Sequence, residues 1–502
     1  MRARAVMVWG TSSGAGKSWL ATALCRWAAR QGIDVAPFKA QNMSNNARVV
    51  AGLDGHAGEI GAAQYFQALA ARVVPSVDMN PVLLKPEHDR GSQVVVHGRV
   101  DTALSRQGWR ERSGALAQAA QESLSRLQDA HELLVIEGAG SPAETNLADV
   151  DYVNLETARW SQARSLLVTD IDRGGAFAHL LGTWTLLPDD LRPTVAGFVL
   201  NKFRGDPALL APAPQELQQR TGVPTLAVLP MVHDHGLPDE DGWFMRPSAL
   251  PGVRHPGAPA FSALGTRRVA VVAYPRLSNL DEFEPLQHVP GVRLNWARSP
   301  SDLEGADWIV LPGSKQVSGD LAWLRAQGLD AAIRAHAAAG RPLLGICGGL
   351  QMLGERLHDP DGHDGAAMDE VAGLGLLPLA THYMGQKRTR RATLQFGGLR
   401  APWAALAGLA VDGYEIRQGQ TQCLPSGTGS TQEVLWDAQG TPIGWQRDHV
   451  LGLYAHGLFE STAVLHALFG NSVPTLDSRL DRLADLVDRH FETGALQRLL
   501  VR

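Results

Sequence analysis

Cysteine is scarce in this chain of 502 residues: Cys25, Cys347 and Cys423 are the only three, and no two share a pairing spacing. That excludes a disulfide framework or a cysteine zinc cluster, and it suits a reducing, cytoplasmic setting. Long apolar runs are lacking as well, so no segment is expected to cross a membrane. The short apolar stretch behind Arg2 and Arg4 runs directly into a glycine-rich loop, which is not how a secretory leader is built. Excess charge of one sign is also missing, since 46 Lys and Arg face 51 Asp and Glu for a net charge of −5. A general nucleic-acid or membrane-surface binder is therefore excluded. Internal repeats and low-complexity tracts are absent.

The chain is too long for one core, so two domains are expected. Short apolar runs alternate with helical patterns, as in parallel sheets covered by helices. The first half offers strands at Val6–Trp9, Ile33–Phe38, Leu133–Ile136, Ser165–Thr169, Val195–Leu200 and Thr225–Leu229. From Asp239 to Gly265 the texture turns to Pro, Gly, Ser and Ala, the best linker candidate. New strands follow at Arg268–Ala273, Trp308–Leu311 and Pro342–Ile346. The reading is thus a first domain over 1–245, a linker over 246–266, and a second domain over 267–502. Its last helix, near Leu476 to Phe491, lines up Leu476, Leu480, Leu483 and Val487 on one face.

Leu343-Leu344-Gly345-Ile346-Cys347-Gly348-Gly349 reads as a buried strand, a glycine-flanked turn and a helix starting near Leu350. Such a turn holds a nucleophile strained and exposed at the mouth of an α/β sheet. A lone cysteine is more often core packing. Downstream, however, Gly452-Leu453-Tyr454-Ala455-His456-Gly457-Leu458-Phe459 delivers His456 after an apolar run, where a base for the thiol would sit. Gly348, and Gly313 in Leu311-Pro312-Gly313-Ser314-Lys315, are candidate N–H donors to an oxyanion.

Near the start, Ala5-Val6-Met7-Val8-Trp9 leads through Gly10-Thr11-Ser12-Ser13-Gly14-Ala15-Gly16-Lys17-Ser18 into a helix from Trp19 to Arg30. Strand, glycine-rich loop, Gly-Lys-Ser and helix are the context a phosphate-binding loop requires. Backbone N–H groups and the helix N-terminus would cradle phosphates, Lys17 would neutralise them and Ser18 would face Mg²⁺. Other strand ends carry Lys39, Glu137, Asp170 with Asp172, and Asn201 with Lys202. Ligands of open α/β sheets gather at such ends, and Glu137, opposite a phosphate loop, is a second Mg²⁺ contact.

The Gly-Thr-x5-Gly-Lys-Ser loop resembles the dethiobiotin synthetase type. The strings Lys39-Ala40-Gln41-Asn42-Met43-Ser44-Asn45-Asn46, Val77-Asp78-Met79-Asn80-Pro81-Val82-Leu83-Leu84-Lys85-Pro86, Asp170-Ile171-Asp172-Arg173-Gly174-Gly175, Asn201-Lys202-Phe203-Arg204-Gly205-Asp206, Gly413-Tyr414-Glu415-Ile416 and Tyr454-Ala455-His456-Gly457-Leu458-Phe459 resemble the cobyric acid synthase family. The resemblance runs from the first strand to the C-terminal helix. It implies an α/β fold of two doubly wound domains. The first is P-loop NTPase-like and the second a class I, flavodoxin-like glutamine amidotransferase. It also implies amidation of the b, d, e and g carboxylates of a corrinoid a,c-diamide at the expense of ATP and glutamine.

Carried onto this sequence, Gly10, Thr11, Gly14, Gly16, Lys17 and Ser18 would hold ATP, with Asn201 near the adenine. Ser18, Glu137 and Asp54 would hold Mg²⁺, although Asp54-Gly55-His56-Ala57-Gly58-Glu59 is two residues longer than the family's run. Lys39, Asp170, Asp172 and Arg173 would meet substrate or phosphate, and Lys202 and Arg204 could bind further corrinoid carboxylates. Class I domains usually place a Glu two residues after the His, and here that position is Leu458. The expectation is a Cys347–His456 dyad whose imidazole is oriented by another group, with Glu415 and Glu460 as open alternatives. An a,c-diamide synthase or a cell-wall amidotransferase would share the two-domain logic without all of these strings. A partition-ATPase-like switch carrying an inert glutamine sensor would leave Cys347 and His456 idle.

Overall fold

The computed structural model describes residues 2–88, 91–232, 237, 266–365, 367–424, 431–470 and 474–500. It divides into two compact units. The first contains Met1–Ser44, Val50–Leu237 and Thr475–Arg502, and the second Asn45–Val49 with Pro238–Pro474. The proposed linker, 246–266, lies outside the described residues except for Thr266.

The first unit is built on a six-stranded sheet in the order Thr225–Pro230, Val195–Phe203, Arg164–Asp170, Arg4–Gly10, Leu133–Glu137, Val35–Phe38. Every pairing is parallel. Met7, Val8 and Trp9 are wholly buried in its central strand, as continuous apolar runs in a sheet covered on both faces should be. The chain fills one side of this strand with Val35–Phe38 and Leu133–Glu137 and then crosses to the other with Arg164–Asp170, the change of direction that opens a crevice at the C-terminal strand ends, where the phosphate loop lies. All six expected strands are present with ends within three residues, and the loop helix runs over Lys17–Arg30. A smaller four-stranded sheet includes Gln41–Met43 and Val82–His88.

The C-terminal helix was expected to complete the second domain, and it does not. Leu476–His490 packs on the phosphate-loop helix of the first unit. Leu480, Leu483 and Val487 share a core with Leu20 and Leu24, and the Arg26 guanidinium bonds Asp481 at 2.8 Å and Asp477 at 2.6 Å. The heptad-like face was legible in the sequence, but the identity of the surface it covers was not. Farther on, Glu492 N–H donates to Leu226 O at 2.8 Å, covering the sheet's edge strand.

The second unit has a parallel core in the order Val292–Ala297, Arg267–Val272, Trp308–Leu311, Leu343–Ile346, Val450–Leu453. It continues antiparallel through Pro442–Arg447 and Gln432–Trp436 to a long hairpin of Leu379–Phe396 and Ala410–Cys423. Both units are therefore α/β, as the alternation of patterns implied. Among the described residues, no helix is long and apolar enough to cross a membrane.

Candidate active sites

In the first unit the phosphate loop closes on itself. Gly14 and Gly16 take φ of 72° and 99°, values that favour glycine. A Cβ on Gly16 would come within 2.0 Å of Asn201 Nδ2, so the loop needs hydrogen there. Asn201 donates to Ala15 O at 2.9 Å and Lys202 Nζ to Gly14 O at 2.7 Å, placing both strand-end residues on the loop. Thr11 Oγ1 bonds Thr169 Oγ1 at 3.0 Å. Lys17 is buried, its ammonium donating to Ser12 O and Gly140 O at 3.0 Å each. Those carbonyls occupy donors that phosphate oxygens would take.

Glu137 anchors the other side of this site. It is wholly buried and accepts from Ser18 Oγ at 2.8 Å, Lys39 Nζ at 2.7 Å and Gln67 Nε2 at 2.6 Å. Burial alone would raise its pKa, but Lys39, Gln67 and Ser18 together hold the carboxyl below its usual range. An ionised carboxylate beside a loop hydroxyl is a donor set that suits Mg²⁺, so Ser18 and Glu137 fit the ion the fold implies. Asp54 does not join them. It lies at the surface, where it pairs with Arg99 and His56.

Asp170 accepts from Lys202 at 3.0 Å and Arg173 at 3.1 Å, and Asp172 from Arg204 at 2.9 Å. Asp170 thus reaches the phosphate loop through Lys202, while Arg173 and Arg204 remain half-exposed or more.

In the second unit, Cys347 has φ 50° and ψ −104° at the end of Leu343–Ile346. For a non-glycine residue this is real backbone strain, and it is the turn expected of a nucleophile elbow. Glycines make room around it. A Cβ on Gly349 would meet Leu311 O at 1.9 Å, one on Gly348 the Ser314 N at 2.7 Å, and one on Gly313 the His456 Cε1 at 2.9 Å. Gly313, Gly348 and the Cys347–His456 pair are therefore adjacent.

The Cys347 thiol donates to Ile416 O at 3.6 Å and lies close enough to act on the charge of the buried His456 imidazole. His456 Nδ1 lies 3.1 Å from Glu282 Oε1, and Glu282 Oε2 accepts Gly457 N–H at 3.1 Å. Burial opposes the charged imidazole, but Glu282 and Cys347 outweigh it and raise His456 to about 10. The acid in contact with the imidazole is thus Glu282, and neither expected alternative makes that contact. Glu415 bonds Arg390 and Arg417 at 2.7 Å each, and Glu460 pairs with Arg48 at 2.5 Å. Glu282 lies in Leu280–Phe283, at no spacing from His456 that a sequence pattern could flag.

Comparison with known proteins completes the assignment. Residues 6–240 match the CobQ/CobB/MinD/ParA nucleotide binding domain, and 268–464 the CobB/CobQ-like glutamine amidotransferase domain. The protein named cobyric acid synthase from Methylibium petroleiphilum is 61% identical, with 99% of this chain and 97% of that protein covered. This chain belongs to the cobyric acid synthase family. The protein of that name from Variovorax paradoxus is 59% identical with 100% of both chains covered, and the one from Leptothrix cholodnii 60% with 99% and 97%. As a cobyric acid synthase family member, the chain is a glutamine-dependent amidoligase. Its nucleotide-binding and glutaminase halves correspond to the two units, and an inert sensor fused to a partition-type switch is set aside.

Proposed function

We propose that the chain is a cobyric acid synthase that amidates the b, d, e and g carboxylates of a cobyrinic or hydrogenobyrinic acid a,c-diamide. The observation that carries this reading is the Cys347–His456–Glu282 assembly in a chain similar end to end to proteins of that name. In the second unit, Cys347 sulfur attacks the glutamine side-chain amide, and the carbonyl oxygen gains charge against the Gly313 and Gly348 N–H groups. His456, its imidazolium held by Glu282 and Cys347, carries the proton that the thiol has shed and gives it to the leaving nitrogen. Ammonia departs, and water cleaves the resulting thioester to glutamate. Glu282 keeps the imidazole in the tautomer and orientation this shuttle needs.

In the first unit, a substrate carboxylate displaces ADP from the terminal phosphorus of ATP, and ammonia then displaces phosphate from the acyl phosphate. Lys17, Lys39 and the loop N–H groups offset the repulsion between two anions. Ser18 and Glu137 would hold Mg²⁺, which supplies further charge neutralisation at the phosphates when bound. Arg173, Lys202 and Arg204 carry positive charge suited to the other carboxylates of the corrinoid.

Mass spectrometry of adenosylcobyrinic acid a,c-diamide incubated with enzyme, ATP, Mg²⁺ and glutamine tests the reading. The expected result is four successive carboxylate-to-amide steps. In Cys347→Ala they stop with glutamine and continue with ammonia. An unaltered corrinoid alongside continuing glutamine hydrolysis would point to a different carboxylate substrate.

A further inference from the structure

Behind the His456–Glu282 pair lies a buried charge cluster that the proposed chemistry does not use. Asp281, next to Glu282 in the chain, is buried to 2% exposure, and Glu282 is wholly buried. Burial and the charge of Glu282 both push the Asp281 carboxyl up, so keeping this second acid ionised beside Glu282 takes a cation besides His456. The second cation is Arg48, itself 1% exposed. Its Nη2 pairs with Asp281 Oδ2 and, at 2.5 Å, with Glu460 Oε1.

Arg48 also holds an aromatic ring. Its Nη1 donates to Tyr414 Oη at 2.6 Å, and Asn279 Nδ2 donates to the same oxygen at 2.8 Å. Tyr414 stacks on the His456 imidazole, with ring centroids 5.3 Å apart and planes at 21°. The two residues also exchange backbone bonds, His456 N–H to Tyr414 O at 2.9 Å and Tyr414 N–H to His456 O at 3.3 Å. The imidazole is thus fixed on one face by Tyr414 and at Nδ1 by Glu282, which leaves its other nitrogen for Cys347.

The origin of Arg48 in the chain is unexpected. It belongs to Asn45–Val49, a five-residue stretch counted in the second unit although Ser44 and Val50 on either side belong to the first. The stretch is tied down along its length. Asn46 Oδ1 accepts Leu280 N–H at 3.0 Å, Ala47 O accepts Asn279 Nδ2 at 2.9 Å, and Val49 O accepts Arg391 Nε at 3.0 Å.

We propose that Arg48 is a positioning residue for glutamine hydrolysis. It acts by neutralising Asp281 beside Glu282 and by holding Tyr414 against His456. The proposal rests on the glutaminase reading of Cys347 and His456. Because neither Asp281 nor Tyr414 is assigned to glutamine, loss of Arg48 misplaces the proton shuttle without removing a substrate contact. The cost therefore falls on kcat and spares KM.

The experiment compares full-length Arg48→Met, Arg48→Lys and Cys347→Ala. It reads glutamine hydrolysis and ammonia-driven amidation of the corrinoid diamide side by side. Arg48→Met is expected to lower kcat for glutamine on the order of 10–100-fold, with KM and the ammonia-driven rate kept within about two-fold. Arg48→Lys restores the charge, though not the two-pronged grip, and should recover part of the loss. A kcat within two-fold of the parent in Arg48→Met, a change in KM alone, or equal loss of both activities in Met and Lys variants would each overturn the proposal. If Cys347→Ala still hydrolysed glutamine, the glutaminase reading would fall first and take this one with it.

Discussion

Glu282 reaches His456 from 174 positions earlier in the chain, and that distance explains what the sequence could and could not reveal. Glu282→Gln removes the counter-charge that holds the imidazolium, so the His456 titration should move down from about 10 toward its ordinary 6.5. NMR titration of the His456 ring would measure this, and kcat for glutamine should fall by roughly 100-fold. The sign for stability follows from the raised value. The pair's contribution is complete below pH 6.5 and is lost as pH rises toward about 10. Thermal unfolding across that range should show a steeper alkaline decline in the parent than in Glu282→Gln. Cys347, Lys17 and Ser18 were legible because their chemistry is written in adjacent residues, a glycine-flanked turn or a Gly-Lys-Ser run. Partners that meet only through the fold were not. Glu415 and Glu460 stood as open alternatives, yet arginines hold both, and Asp54 pairs with Arg99 and His56 at the surface.

Strands and helices transmit these local choices. The elbow depends on Leu343–Ile346 lying directly beside Trp308–Leu311, because only then does the Gly349 backbone reach Leu311 O. Gly349→Ala places a methyl 1.9 Å from that oxygen and should force the helix after Cys347 off the sheet. The expected outcome is loss of glutaminase activity with a Tm lowered by several degrees, read by calorimetry. In the first unit, Leu133–Glu137 delivers Glu137 into a buried pair with Lys39. Glu137→Gln strands the ammonium and should cost about 3–5 kcal/mol in chemical denaturation, besides weakening nucleotide-dependent amidation. The parallel strands were readable as continuous apolar runs. The long hairpin Leu379–Phe396 with Ala410–Cys423 was not, because its residues alternate irregularly between buried and exposed.

At the scale of the whole molecule, the chain does not respect its own halves. Five residues from the first half, Asn45–Val49, are part of the second unit, and Thr475–Arg502 returns to the first. A split at the composition change near residue 240 therefore places both segments in the wrong unit. Arg26→Met tests the returning helix, since Asp477 and Asp481 bond this wholly buried guanidinium. Its loss should destabilise the first unit by about 2–4 kcal/mol while glutamine hydrolysis persists.

Protein synthesis meets the same discontinuity in time. As the nascent chain leaves the ribosome, the phosphate-loop helix emerges early, with Leu20 and Leu24 ready to pack. The residues that cover them, Leu480, Leu483 and Val487, are translated only after the entire second unit. That apolar face waits uncovered while the second unit is made, at the interval when aggregation competes with folding. Production of this enzyme should therefore respond more to chaperone supply and translation speed than the stability of its finished form would suggest.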